Sequence, residues 1–95
     1  MELVFSRQAS KDFDEIYQYG FSRFGEIQAD NYAAKLVSCF KNLCTNPEIG
    51  RLDARVKPAI RRFEIGSHIV CYDLFKDQII IVRILRKSVN FLSHI

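Results

Sequence analysis

The chain has 95 residues, 48% apolar and 26% charged, which suits one compact core spanning residues 1–95 and excludes an intrinsically disordered chain. No apolar run nears the ~20 residues that cross a bilayer, and Met1–Arg7 lacks a basic stretch leading into an apolar one, so neither a membrane span nor export is expected. The net charge of +3 is unevenly spread: residues 1–50 carry five Lys/Arg against seven Asp/Glu, and residues 51–95 carry nine against four, so the second half builds a basic surface.

Glu2–Phe5 alternates and reads as an opening strand. Ser6 then offers a helix N-cap. Ala9, Phe13, Ile16, Tyr17, Gly20 and Phe24 form one apolar stripe, predicting a helix from about Arg7 to Phe24. Lys11, Asp12, Asp14 and Glu15 are expected to face water, and Gly25 to stop the helix. Ala29, Ala33, Leu36, Phe40 and Leu43 repeat the pattern, and Thr45-Asn46-Pro47 ends it. Two helices joined by so short a link fold back as an antiparallel hairpin. Ala29, Ala33 and Ala34 allow a close approach.

Asn46–Gly50 reads as a turn and Arg51–Pro58, with no regular pattern, as a loop. The apolar period then drops to two. Ile60–Ile65, the turn Gly66-Ser67, His68–Phe75, the turn Lys76-Asp77-Gln78 and Ile79–Leu85 predict a three-stranded meander. With the opening strand on its edge, the expected fold is α+β, β-α-α-β-β-β, a helical hairpin packed on a small antiparallel sheet. Strict alternation puts Ile79, Ile81, Arg83 and Leu85 on one face, and Ile80, Val82, Ile84 and Arg86 on the other. Both faces need cover, and the tail Val89–Ile95 is the available strap. The odd set Cys39, Cys44 and Cys71 reads as reduced, core-filling thiols without metal spacing, and no cofactor is expected.

Five stretches in order resemble the ParE branch of the ParE/RelE toxin superfamily: Ser6–Ala9 leading into Asp12–Tyr19, Phe24–Tyr32, Asn46–Arg51, Ile60–Tyr72 and Ile81–Arg86. The resemblance covers nearly the whole chain and implies the toxin of a type II toxin–antitoxin pair, of the plasmid-stabilisation kind. It also implies a cytoplasmic setting, a ParD-like antitoxin whose C-terminal segment wraps the toxin, and DNA gyrase as the target. RelE members instead cut messenger RNA on the ribosome. One departure bears on the target: where the family often shows a His and then a basic pair with Asp, this chain reads Arg86-Lys87-Ser88-Val89-Asn90.

A ribonuclease needs a general base, a general acid and cations at the phosphate. Arg62, Arg83, Lys87 and His94 would be its members here, but the tail has no Tyr and His94 is penultimate. Inhibition by binding needs only a shaped, charged surface. The expectation is therefore a binding toxin, with mRNA cleavage or a degenerate non-toxic member as alternatives. Candidate target contacts are Arg61, Arg83, Arg86, Lys87 and Phe91, with Arg61 and Arg83 on the sheet face away from the hairpin. For Arg61 and Arg83, pairing with Glu64, Asp73 or Asp77, or simple solvation, is the competing role. Tyr19, Phe21 and Ile27 fall off the stripes and, with Arg62, are candidate antitoxin contacts; scattered surface aromatics are the alternative. Neither membrane attachment nor sequence-specific nucleic-acid binding is expected.

Overall fold

The computed structural model describes residues 1–95. Strand β1 (Glu2–Phe5) leads through Ser6 into helix α1 (Arg7–Phe24). The Ser6 hydroxyl accepts the Ala9 N–H at 2.9 Å and donates to the Val82 carbonyl at 2.7 Å. One side chain thus caps α1 and fastens its start to the sheet. Gly25 alone joins α1 to α2 (Glu26–Thr45), with φ +92°, a conformation that costs an L side chain strain. Tyr17 donates to Asp30 at 2.6 Å across the hairpin, and no helix is long and apolar enough to cross a membrane.

Strands β2 (Arg51–Asp53), β3 (Ile60–Ile65), β4 (His68–Phe75) and β5 (Gln78–Arg86) complete a five-stranded sheet in the order β1-β5-β4-β3-β2. Three details correct the expectation. The sheet is mixed, because β1 pairs parallel to β5: three reversals after β2 bring β5 back along β1. Arg51–Asp53, expected as loop, is a short edge strand against β3, and an edge of three residues needs no apolar alternation. The third is a bulge. Cys71 faces Arg83 while Tyr72 faces Ile81, so Val82 is unmatched and parity reverses beyond it. Ile79, Ile81 and Ile84 therefore share the helix-side core, and Leu85 packs on the other face.

The main core joins Ala9 of α1 and Leu36, Phe40 and Leu43 of α2 to Val70, Tyr72, Ile79 and Ile81, with Phe5 edge-on to Phe40 at 5.0 Å. The buried Tyr72 hydroxyl donates to the Pro47 carbonyl and accepts the Gly50 N–H, both at 2.8 Å, fixing the turn after α2. Ile60, Ile69, Cys71, Leu85 and Phe91 form a smaller core on the opposite sheet face. There the tail runs through a short 3-10 turn (Phe91–Ser93) and does serve as the strap. Cys39 and Cys71 pack in the two cores, where burial pushes their thiols up to about 11 and about 12.

Two helix residues differ from their expected setting. Asp12, expected in water, is 8% exposed, and Phe24, expected in the core, is 60% exposed. Asp12 stands three residues after Ala9 and four before Ile16, on the stripe itself. Phe24 closes α1 at the hairpin tip, beyond the reach of the sheet.

Candidate functional site

The hairpin diverges from the sheet toward its tip and leaves an open groove of about 800 Å³. Ile16, Tyr19, Phe24 and Tyr32 supply its apolar wall, and His68 and Arg86 stand on the sheet side. The Gly66-Ser67 turn creates this polar end. Gly66 has φ +56°, and a Cβ there would stand 2.7 Å from the Tyr32 hydroxyl oxygen. That close approach lets the hydroxyl accept the Ser67 N–H at 3.0 Å and lie 2.6 Å from His68 Nδ1. While it accepts from Ser67, the phenol can donate its own proton to Nδ1, an arrangement that suits the neutral His68 tautomer with its proton on Nε2. Burial, then the nearby Arg86 cation, pulls the His68 pKa below its usual 6.5. Burial likewise raises the Tyr32 hydroxyl, against the lowering effect of the Ser67 N–H.

The opposite sheet face treats its cations differently. Asp53 is buried and accepts Arg55 Nε at 2.9 Å, Arg55 Nη2 at 2.6 Å and Arg62 Nη1 at 3.5 Å. The Arg55 hydrogen bonds hold the Asp53 carboxyl well below the usual carboxylate range. Both guanidiniums also sit over the Phe91 ring, Arg62 at 4.6 Å and Arg55 at 6.0 Å from its centroid. Between the two faces runs Arg83. Asp12 accepts its Nε at 2.8 Å and its Nη2 at 3.0 Å, and also the Ile84 N–H at 2.9 Å. The last bond matters because β1 ends at Phe5 and leaves β5 without a strand partner on that edge beyond Ile81. The second Nη of Arg83 reaches the His94 carbonyl at 3.4 Å.

The residues expected to contact a target are thus dispersed. Arg61 lies on the hairpin side, not the far side, and donates to the Gly50 carbonyl at 2.8 Å. It points with Phe63 and Ile65 because β3 alternates without interruption. Arg83, opposite Cys71, starts from the far face but its guanidinium bonds Asp12 of the hairpin rather than Glu64, Asp73 or Asp77, so it spans the two faces instead of lining one. Arg86 and Lys87 are exposed. Phe91, expected as a surface contact, is 7% exposed in the second core. Among the expected antitoxin contacts, Tyr19, Phe21 and Ile27 are exposed around the hairpin tip, with Ile27 at 80%. Arg62 is apart from them, 13% exposed under the strap. The ribonuclease set is also divided: Arg62 and Arg83 are held by carboxylates, and Lys87 and His94 are exposed on the tail. Sequence reasoning missed the Tyr32–His68 contact, for which 36 intervening residues leave no local signal.

Residues 3–91 match the family described as the ParE toxin of the type II toxin-antitoxin system, parDE. The chain belongs to the ParE toxin family. Its curated relatives include Toxin ParE1 of Caulobacter vibrioides, 33% identical over 90 residues, which cover 95% of this chain and 93% of the relative. Toxin ParE1 of Mycobacterium tuberculosis is 28% identical over 88 residues, covering 92% and 90%. Among solved structures, the chromosomal ParDE toxin–antitoxin system from P. aeruginosa contains a chain that superposes with a TM-score of 0.76 at 28% identity. That match covers 90% of this chain and 95% of the other. The toxin class and the α+β fold expected from the sequence are both met.

Proposed function

We propose that this toxin arrests growth in the cytoplasm by binding DNA gyrase rather than by cleaving RNA, and that a ParD-like antitoxin silences it by laying an amphipathic helix in the hairpin–sheet groove. The observation that carries the binding reading is the state of the arginines. A phosphoryl-transfer site needs cations free to meet charge that develops on a phosphorane. Arg83 is spent on Asp12, and Arg62 lies under the tail against the Phe91 ring, sharing Asp53 with Arg55, so neither guanidinium is open to an incoming phosphate. The groove reading rests on shape: an apolar channel lined by Ile16, Tyr32 and the exposed Tyr19 and Phe24 suits a helix with one apolar face.

Purified toxin is to be assayed in gyrase supercoiling and, in parallel, in cell-free translation. Loss of supercoiling with translation intact is expected. Arrest of translation with cleaved messages would sink the gyrase reading, and harmless expression of the chain alone would sink toxicity itself.

A further inference from the structure

The groove has a charge pattern that a purely apolar seat would not need. Arg86 is exposed at the end of β5, lines the groove and forms no ion pair. Asp12, a carboxylate lining the same groove, is already satisfied by Arg83 and the Ile84 N–H. His68 adds a second donor whenever its proton is on Nε2, as in the tautomer that accepts from Tyr32 and in the protonated ring. Its Nδ1 is engaged by Tyr32, while Nε2 makes no hydrogen bond within the chain and is not sealed from solvent. On the facing wall Glu15 of α1 is exposed and pairs with no cation.

We propose that His68 and Arg86 form a carboxylate anchor for the partner helix, fixing which acidic side chain of the antitoxin enters the groove and in which direction the helix lies. The anchor rests on the groove reading given under Proposed function. A guanidinium beside an imidazole N–H presents two converging donors, and the peptide group that answers both is an Asp or Glu side chain. Glu15 opposite sets the polarity: the fitting helix turns acid toward β5 and base toward α1.

The arrangement also links binding to protons. The groups facing His68 are Arg86 from β5, Asp12 and Glu15 from α1, and the Tyr32 hydroxyl from α2. A docked carboxylate adds negative charge beside the ring and raises its proton affinity above that of the free toxin. Protonated His68 keeps its Tyr32 contact, because the phenol can accept from Nδ1–H and turn its own proton to the Ile65 carbonyl at 3.5 Å. Binding therefore takes up a proton and tightens as pH falls toward about 6.

The test is surface plasmon resonance with the whole toxin and its cognate ParD antitoxin at about pH 6 and about pH 8. Arg86→Gln is expected to weaken binding by about 10- to 100-fold, mainly through faster dissociation. His68→Asn keeps an acceptor for Tyr32 and should erase the tightening at the lower pH. Arg86→Glu should be rescued by an antitoxin with Lys in place of one acidic residue. A thermal melt confirms that each variant is folded, and Arg86, being exposed, tests the anchor even where His68→Asn is destabilised. Affinities of Arg86→Gln within twofold of the parent at both pH values would overturn the anchor. Ala33→Trp, which fills the groove, separates the two readings. If it abolishes binding while Arg86→Gln is silent, only the anchor falls; if it too is silent, the groove is not the seat and both fall.

Discussion

The two faces of this sheet draw on the same basic half of the chain and use it in opposite ways. On the hairpin side, Arg86 and the Nε2 of His68 stand in an apolar groove without partners in the chain. On the far side, Arg55 and Arg62 close on Asp53 and on the Phe91 ring, and the tail seals a second core beneath them. A count of positive charge would rank the far face first as a docking surface. Engagement reverses that order: Asp53 offsets one of the two far-face charges and the tail covers Arg62, while a lone guanidinium beside an apolar wall retains its donors for a partner.

The contact that spans both faces gives the largest expected effect. Asp12→Ala strands the Arg83 guanidinium and the Ile84 N–H together, at the bare edge of β5 and under α1. Removing one member of such a buried pair costs roughly 3 kcal/mol. A urea melt should show that loss, accompanied by faster amide exchange in the tail that Arg83 touches. An unchanged midpoint would mean that the two faces are held independently.

A smaller effect is expected from Phe91→Ala. The ring is one of five residues in the smaller, second core, so the loss should be about 2 kcal/mol. This variant sharpens the contrast, because exchange should rise over the tail while antitoxin affinity in the groove is retained. A matching drop in antitoxin affinity would show that the faces are coupled.

The smallest effect is set by pH and belongs to the groove side. The His68 pKa is lowered in the folded chain from 6.5, so above that value neither state binds the proton and the full stability is present. As pH falls past 6.5 the unfolded chain takes up the proton first, and stability declines toward the lower folded value. His68→Asn should flatten that part of the stability–pH curve. Asp53 acts in a separate, more acidic window: its carboxyl is lowered from 3.8, so its contribution is present above that value and is lost on further acidification.

Much of this was legible in the residues. The apolar stripes, the Ser6 cap, Gly25 and the change of period from four to two predicted both helices, the hairpin and strands β3 to β5 nearly to the residue. The family followed from motifs lying on those elements, and residues 3–91 match it. The candidate site was less legible. Tyr19, Phe21 and Ile27 were visible as residues off the stripe, and they are exposed. Arg62, grouped with them, lies on the other sheet face, and the Tyr32–His68 pair went unseen. Asp12 carried an overlooked signal, since a carboxylate on an apolar stripe requires a buried partner.

What the sequence by itself determined is everything governed by near neighbours: the caps, the turns and the repeat of apolar residues that makes each helix and strand bury one side. What only the tertiary structure decided is pairing across distance. The direction of β1, the edge strand Arg51–Asp53, the parity change at Val82 and the choice of Asp12 over three nearer acids as partner of Arg83 all depend on which backbone edges remain open once the layers meet. The physical reason is that hydrogen bonds and charges are satisfied in space, and one unmatched residue in a strand is enough to turn the side chains beyond it to the other face.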